Sequence, residues 1–282
     1  MEGNIVANRT GIGTVELCSE LEFMSALQRI MRATRIRSAR AFPARLRHIS
    51  IPAPIATVTF DDFARSAWTT GGKIVEDAGA RATYYVSGSH CGHNIDGIDY
   101  FTEADLAEAH SRGHEAGCHT FSHLPIPSAR KDQIECDLAR NAAFIRNITG
   151  QQTITSFAYP FGAASVRSKL LVGRHFSASR GIEPGINSGW VDFSQLRAVC
   201  LEPHILRDFP IARLVDEVRA RKGWLIFITH DVSPKPTPYG CTPELLRQAV
   251  EALQRAGVKL CTVEEALNEM GFKRTVAPDA RV

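Results

Sequence analysis

Three short apolar runs in this chain end in side chains that bind metals or move protons. Thr57-Val58-Thr59-Phe60 runs into Asp61-Asp62, Glu115 to Cys118 runs into His119-Thr120-Phe121-Ser122-His123, and Leu225 to Thr229 runs into His230-Asp231. Adjacent carboxylates just after an apolar strand raise each other's pKa unless a cation or a donor compensates, and a metal ion resolves the conflict. His119 and His123 are four residues apart, so one helical turn or one tight loop can aim both imidazoles at a single ion. One Asp completes a two-histidine, one-carboxylate set with a coordination position left open for water. Two histidines at this spacing are weak evidence alone; with the Asp-Asp strand end they make a metal site the expectation.

The elements that must position these groups follow from the pattern of apolar residues. From Ala56 onward, short β-branched or aromatic runs alternate with helical patterns, the signature of βα units around a parallel sheet. Strands are expected at Ala56 to Phe60, Ala82 to Val86, Glu115 to Cys118, Ser156 to Ala158, His175 to Ala178, Leu196 to Val199, Leu225 to Thr229 and Lys259 to Cys261. Thr102 with Asp105 forms a capping box, and Thr242, Pro243 and Gly257 bracket a second clear helix. Seven or eight such units predict an α/β barrel, in which chemistry collects at the carboxyl ends of the strands. All three motifs fall at such ends.

Composition narrows the function class. The 282 residues carry 33 Lys and Arg against 30 Asp and Glu, and a net charge of +3 gives no reason to expect nucleic acid. The longest strongly apolar run, Trp224 to Ile228, falls far short of the roughly 20 residues that cross a bilayer. Acidic residues are scattered through Met1 to Leu27, which argues against a secretory signal, and the seven cysteines include no CxxC pair. Reduced thiols in a cytoplasm are the expectation. Nothing in the sequence sets the oligomeric state. Residues 1–54 form an N-terminal extension ahead of a catalytic barrel over 55–282; Arg29, Arg32, Arg35, Arg37, Arg40, Arg45 and Arg47 make it locally basic. These arginines do not segregate onto one helical face, so a solvated segment lying over the barrel is preferred to a membrane or nucleic-acid arm.

Across roughly Ala56 to Leu267, these motifs in this order resemble the polysaccharide deacetylases, also called carbohydrate esterase family four or the nodulation-factor deacetylase homology domain. The matching residues are Thr59-Phe60-Asp61-Asp62, His119-Thr120-Phe121-Ser122-His123 and Leu225-Ile226-Phe227-Ile228-Thr229-His230-Asp231. The resemblance implies a distorted (β/α)7 barrel, one divalent metal ion, usually zinc, and hydrolysis of the N-acetyl group of amino sugars. By matching positions, it implies that Asp61 is the general base, that Asp62, His119 and His123 hold the metal, and that His230 is the general acid.

Two departures bear on the site. Where the family's third motif carries an Arg, Phe157-Ala158-Tyr159-Pro160-Phe161-Gly162 has Ala158, so the cation holding Asp61 must come from elsewhere. Arg197, on an expected strand, ranks ahead of Arg180, which falls in the Gly-rich loop around Gly181 and Gly185. The Asp that orients the acid histidine is Asp192 or, alternatively, Asp231. The mechanism needs a fixed N-H for the developing oxyanion, and because Pro160 has none, Phe161 is the choice. A histidine, with an ordinary pKa of about 6.5, suits protonation of the leaving amine.

Phe63, Tyr159, Trp190 and Tyr239 are the candidate substrate contacts; Phe63 stands where the family commonly has Gly, and Tyr239 follows a stiff Pro-rich loop beside His230. His90, Cys91 and His93 read as a lid or substrate-side loop rather than a second metal site, and Cys118 as a buried small apolar group. The expected substrate is an N-acetylated sugar or polysaccharide. The same machinery also suits another small linear or cyclic amide or ureide. A non-catalytic carbohydrate-binding barrel is disfavoured because all five core positions are present.

Overall fold

The alternating apolar runs of the sequence form one curled parallel sheet in the computed structural model, which describes residues 34 and 37–272. The strands are β1 (Leu46–Ile49), β2 (Ile55–Asp61), β3 (Thr83–Val86), β4 (Asn94–Ile95), β5 (Ile98–Asp99), β6 (Glu115–Cys118), β7 (Ser156–Ala158), β8 (Ala178–Arg180), β9 (Gly189–Asp192), β10 (Val199–Cys200), β11 (Trp224–Thr229) and β12 (Lys259–Leu260). The sheet runs β10-β11-β2-β3-β6-β7-β8, with β12 against the first residues of β2 and β3 against its last. Between the two edge strands a parallel bridge joins Arg180 to Leu196. This is the distorted (β/α)7 barrel expected from the sequence. Two antiparallel ribbons, β1 with β9 and β4 with β5, stand outside it.

Period-two alternation divides the strand residues between two apolar clusters. Ala56, Val58, Phe60, Leu225 and Phe227 pack outward against helix residues such as Leu106, Leu138 and Leu246. Ile55, Leu196, Trp224, Ile226 and Ile228 pack together with Val263 and Leu267 of the last helix. Inward polar groups on the same strands are paired: the Trp224 indole N-H donates to Thr57 Oγ1 at 2.9 Å, and Thr59 Oγ1 donates to the Phe227 carbonyl at 2.8 Å.

Two expected strands are displaced. Helix Val166–Val172 unwinds through a turn in which Phe176 N-H donates to the Val172 carbonyl, so His175 and Phe176 are used up before β8 begins. The strand then runs Ala178–Arg180 and pairs Ala178 with Ser156 and Arg180 with Ala158. Leu196 makes only the isolated bridge, and the regular strand there is Val199–Cys200.

Of the basic segment, Arg29, Arg32 and Arg35 lie outside the described residues. The part that is described lies on the barrel. The buried Lys169 ammonium donates to the carbonyls of Ala39 and Phe42 and pairs with Asp192 at 2.6 Å, and β1 pairs with β9. Among the described residues no helix is long and apolar enough to cross a membrane.

Candidate active site

The carboxyl ends of β2, β6 and β11 bring the three sequence motifs together. Asp62 follows β2, His119 and His123 follow β6, and one ligand atom from each of the three lies within 4.8 Å of the others. Asp62 Oδ1 is 3.4 Å from both His119 Nε2 and His123 Nε2. It is buried without a hydrogen-bond partner, a situation that costs about 1–3 kcal/mol unless something compensates. The His119 ring is oriented from behind by the Ala158 carbonyl, 2.9 Å from Nδ1, which leaves the Nε2 lone pair facing Asp62. Burial lowers the His119 pKa to about 4 against the opposing pull of Asp61 and Asp62, so the ring is neutral, as a metal ligand must be. An orphaned carboxylate oxygen facing two imidazole nitrogens fits one divalent cation.

Backbone strain is concentrated at the same place. Asp62, Phe63, Thr120, His123 and Phe161 all have φ between 51° and 63°, a left-handed conformation that disfavours L side chains. These turns place the three ligands on one side of the barrel mouth. Thr120 Oγ1 accepts from the Leu124 amide, and the Asp137 carboxylate accepts from the amides of Phe121 and Ser122, so the histidine-bearing turn is held by side chains.

Asp61, the last residue of β2, points into the barrel and meets Arg180. Arg180 Nη2 donates to Asp61 Oδ1 at 2.5 Å, and both residues are buried. Burial alone would push the Asp61 carboxyl up, but the Arg180 guanidinium, with help from His119 and His230, holds it below the usual range. Burial likewise opposes charge on Arg180, and Asp61 overrides it.

The cation expected from Arg197 is therefore supplied by Arg180. Leu196 faces the interior, so its neighbour Arg197 faces out, where its guanidinium donates to the Pro184 carbonyl at 3.0 Å. The late start of β8 makes Arg180 an inward strand residue instead of a loop residue.

His230 follows β11 with Nε2 at 3.9 Å from Asp62 Oδ2 and Nδ1 at 3.1 Å from the Tyr239 carbonyl. That carbonyl orients the ring. Neither aspartate considered for the task does so. Asp192 accepts from Arg45 N-H and Ser194 and pairs with Lys169, anchoring the N-terminal segment. Asp231 accepts from the amide and hydroxyl of Thr237. A Cβ at Gly240 would sit 2.1 Å from Asp231 Oδ1, so only glycine lets the 231–241 loop close and present Tyr239.

The expected substrate contacts divide. Tyr239 is 62 % exposed with its ring 5.7 Å from His230, and Phe161 is 57 % exposed with its ring 4.4 Å from His123. Phe63 turns away into the outer core, between Tyr84 and Phe101 at 4.5 and 4.7 Å. Tyr159 is buried, its hydroxyl donating to the Ser194 carbonyl at 3.0 Å. Trp190 lies on β9 edge-on to His48, near Asn187, which bridges to Trp224 at the opposite end of β11 from His230. These three are corrections: none of them lines the metal group. His90, assigned to a lid loop, instead lies within that group's surroundings, with its ring 5.7 Å from His123. The orienting carbonyls of Ala158 and Tyr239 have no sequence signal, because a carbonyl's role depends only on backbone placement.

Residues 50–175 match the family model for polysaccharide deacetylase. No curated protein matches the chain. Among solved structures, the family four domain of a multidomain xylanase from the hindgut metagenome of Trinervitermes trinervoides is 18 % identical over 80 % of this chain and 96 % of its own, with a TM-score of 0.55. A family four carbohydrate esterase from Bacillus anthracis is 14 % identical over 86 % of this chain and 92 % of its own, with a TM-score of 0.53. A family four pseudoenzyme from the same organism is 18 % identical over 81 % of this chain and 70 % of its own, with a TM-score of 0.54. At these identities the likeness carries the fold. The family model is thus matched across the first two motif-bearing strand ends, and the solved structures share the barrel, so the chain is similar to the polysaccharide deacetylases in fold and in these motifs.

Proposed function

We propose that this protein is a metal-dependent hydrolase that removes the N-acetyl group from an amino sugar or an oligo- or polysaccharide containing it. The observation that carries this reading is the buried, unpartnered Asp62 Oδ1 at 3.4 Å from two imidazole nitrogens, next to an ionised Asp61. Asp62, His119 and His123 would hold one divalent ion, with zinc first among the candidates. Such an ion supplies a Lewis acid that lowers the pKa of a water molecule and polarises an acyl oxygen.

The chain's own residues do the rest. Asp61 takes the proton of the attacking water on the carboxylate oxygen that Arg180 leaves free. The Phe161 amide is assigned to the oxyanion, on a backbone held open by its positive φ of 59°. His230, with Nδ1 tied to the Tyr239 carbonyl, presents Nε2 and delivers a proton to the leaving nitrogen. Acetate and a free amine are the products.

Two exposed aromatic rings flank the site, Phe161 beside His123 and Tyr239 beside His230, and apolar rings of this kind suit the faces of a sugar. They support a saccharide over a small linear or cyclic amide or ureide. A cytoplasmic setting is part of the proposal; among the described residues Cys91, Cys118, Cys136, Cys200, Cys241 and Cys261 form no disulfide. Residues 55–282 are taken as the catalytic unit and 1–54 as its extension. Metal analysis coupled to an acetate-release screen tests the reading: N-acetyl sugars should release acetate and ureides should not react.

A further inference from the structure

Trp190 and Arg197, both directed away from the metal group, line one cleft of about 540 Å³. That volume is within the range of small-ligand sites. The loop between β8 and β9 forms one wall. There the backbones of Asn187 and Trp224 exchange two hydrogen bonds of 2.9 Å, and Trp224 is the first residue of β11, so the length of that strand separates Asn187 from His230.

Arg197 is held in place from several directions. The buried Asn187 side chain clamps its backbone: Oδ1 accepts from the Arg197 N-H at 2.9 Å, and Nδ2 donates to the Arg197 carbonyl at 2.9 Å. Its Nη1 donates to the Pro184 carbonyl at 3.0 Å. The guanidinium lies against Gly185, where φ is 138° and a Cβ would sit 3.2 Å from Nη1, so glycine is what lets it rest there. Trp190 is 69 % exposed, yet its ring is not loose: the β1–β9 register sets His48 opposite it, in a T-shaped contact with centroids 5.5 Å apart.

The charges of the cleft do not cancel. Each of its carboxylates is answered by one cation: Glu183 by Arg40 at 2.5 Å, Asp192 by Lys169 at 2.6 Å, and Glu217 by Arg221 at 2.6 Å. Arg197 and Arg213 are left over, with no carboxylate paired to either among the described residues. A guanidinium matches a carboxylate with two parallel N-H groups, and an exposed indole offers a flat apolar face to a sugar ring. We infer that this cleft is a second saccharide site that takes an acidic sugar, with Trp190 against the ring and Arg197 and Arg213 on its carboxylate. The choice of a saccharide rests on the proposed function; the choice of an acidic one rests on the two arginines.

The test is binding of tetragalacturonate to the metal-stripped full chain, measured by titration calorimetry and by tryptophan emission. Wild type should bind, and its emission should change, because Trp190 is exposed while Trp68 and Trp224 are buried. Arg197→Met and Trp190→Ala should each weaken binding at least about tenfold while melting as wild type does, and Arg146→Met, an exposed change outside the cleft, should bind as wild type does. No binding by wild type overturns the inference. So does equal affinity in the Arg197 and Trp190 variants, a loss as large in Arg146→Met, or a loss that comes only with a lower melting temperature. Galacturonate carries no N-acetyl group and the protein holds no metal, so failure here leaves the deacetylase reading standing, and failure of acetate release does not alter this readout.

Discussion

Arg180 Nη2 lies 2.5 Å from Asp61 Oδ1, and both side chains are buried. The pair joins β8 to β2 across the inside of the barrel and supplies the cation that Ala158 cannot. A buried ion pair that loses one partner leaves an uncompensated charge, at a cost of about 3–5 kcal/mol. Its function is therefore best probed by pH, with stability measured alongside.

Without Arg180, burial dominates and the Asp61 pKa rises. Arg180→Met should lower the melting temperature and move the acid limb of the kcat/KM profile to higher pH; Arg180→Lys, which keeps a charge, should move it less. Arg197→Met, altering an exposed side chain bound to the Pro184 carbonyl, should leave the profile in place. A shift in the Arg197 variant and none in the Arg180 variants would reverse the assignment.

Asp61→Asn keeps the shape of the side chain and removes the base. Turnover should fall at least about a hundredfold, the low end for loss of a general base, while metal content stays that of wild type. Loss of metal together with activity would make Asp61 a ligand.

Glu115 lies inside the barrel, accepting from Thr83 Oγ1 at 2.8 Å, Ser156 Oγ at 2.6 Å and Glu264 N-H at 2.8 Å. Burial still raises its pKa to about 7. The folded protein thus binds a proton that the unfolded chain releases above its ordinary carboxyl pKa of about 4.3. The stability this represents is present below that pH and is lost as pH rises through about 7. Urea unfolding at pH 5 and pH 8 should show this decline in wild type and a flatter one in Glu115→Gln. Equal slopes in the two proteins would show that Glu115 does not titrate in this range.

Much of this site was legible in the sequence because its chemistry is local. Asp61-Asp62, His119 with His123, and His230 each stand at the end of an apolar run, and the run ends where the barrel opens. Residues whose roles depend on distant placement were not legible. The choice between Arg180 and Arg197 turned on where β8 begins, which is set by how the preceding helix unwinds around His175 and Phe176. Phe63 and Tyr159 carry side chains suited to a binding surface, yet their backbone directs them into the core against Tyr84, Phe101 and Phe157. The support of His230 by a backbone carbonyl has no residue type to betray it.

Chelation offers a second view of the metal group. A ligand bound only by the folded state at a hundred times its Kd adds about 2.7 kcal/mol of stability. Zinc should therefore raise the melting temperature of the stripped wild-type protein and leave a His119→Ala, His123→Ala double variant unmoved. A zinc-dependent rise of equal size in both proteins would place the ion elsewhere.

The central claim is that acetate is released by chemistry at Asp62, His119 and His123. The most direct measurement is acetate release from N-acetylglucosamine oligomers by metal-stripped protein titrated with zinc. Release should climb with added zinc, level off near one ion per chain, and be absent from the His119→Ala, His123→Ala variant. Full zinc occupancy with no acetate released from any N-acetyl sugar, or release that survives chelation, would contradict it.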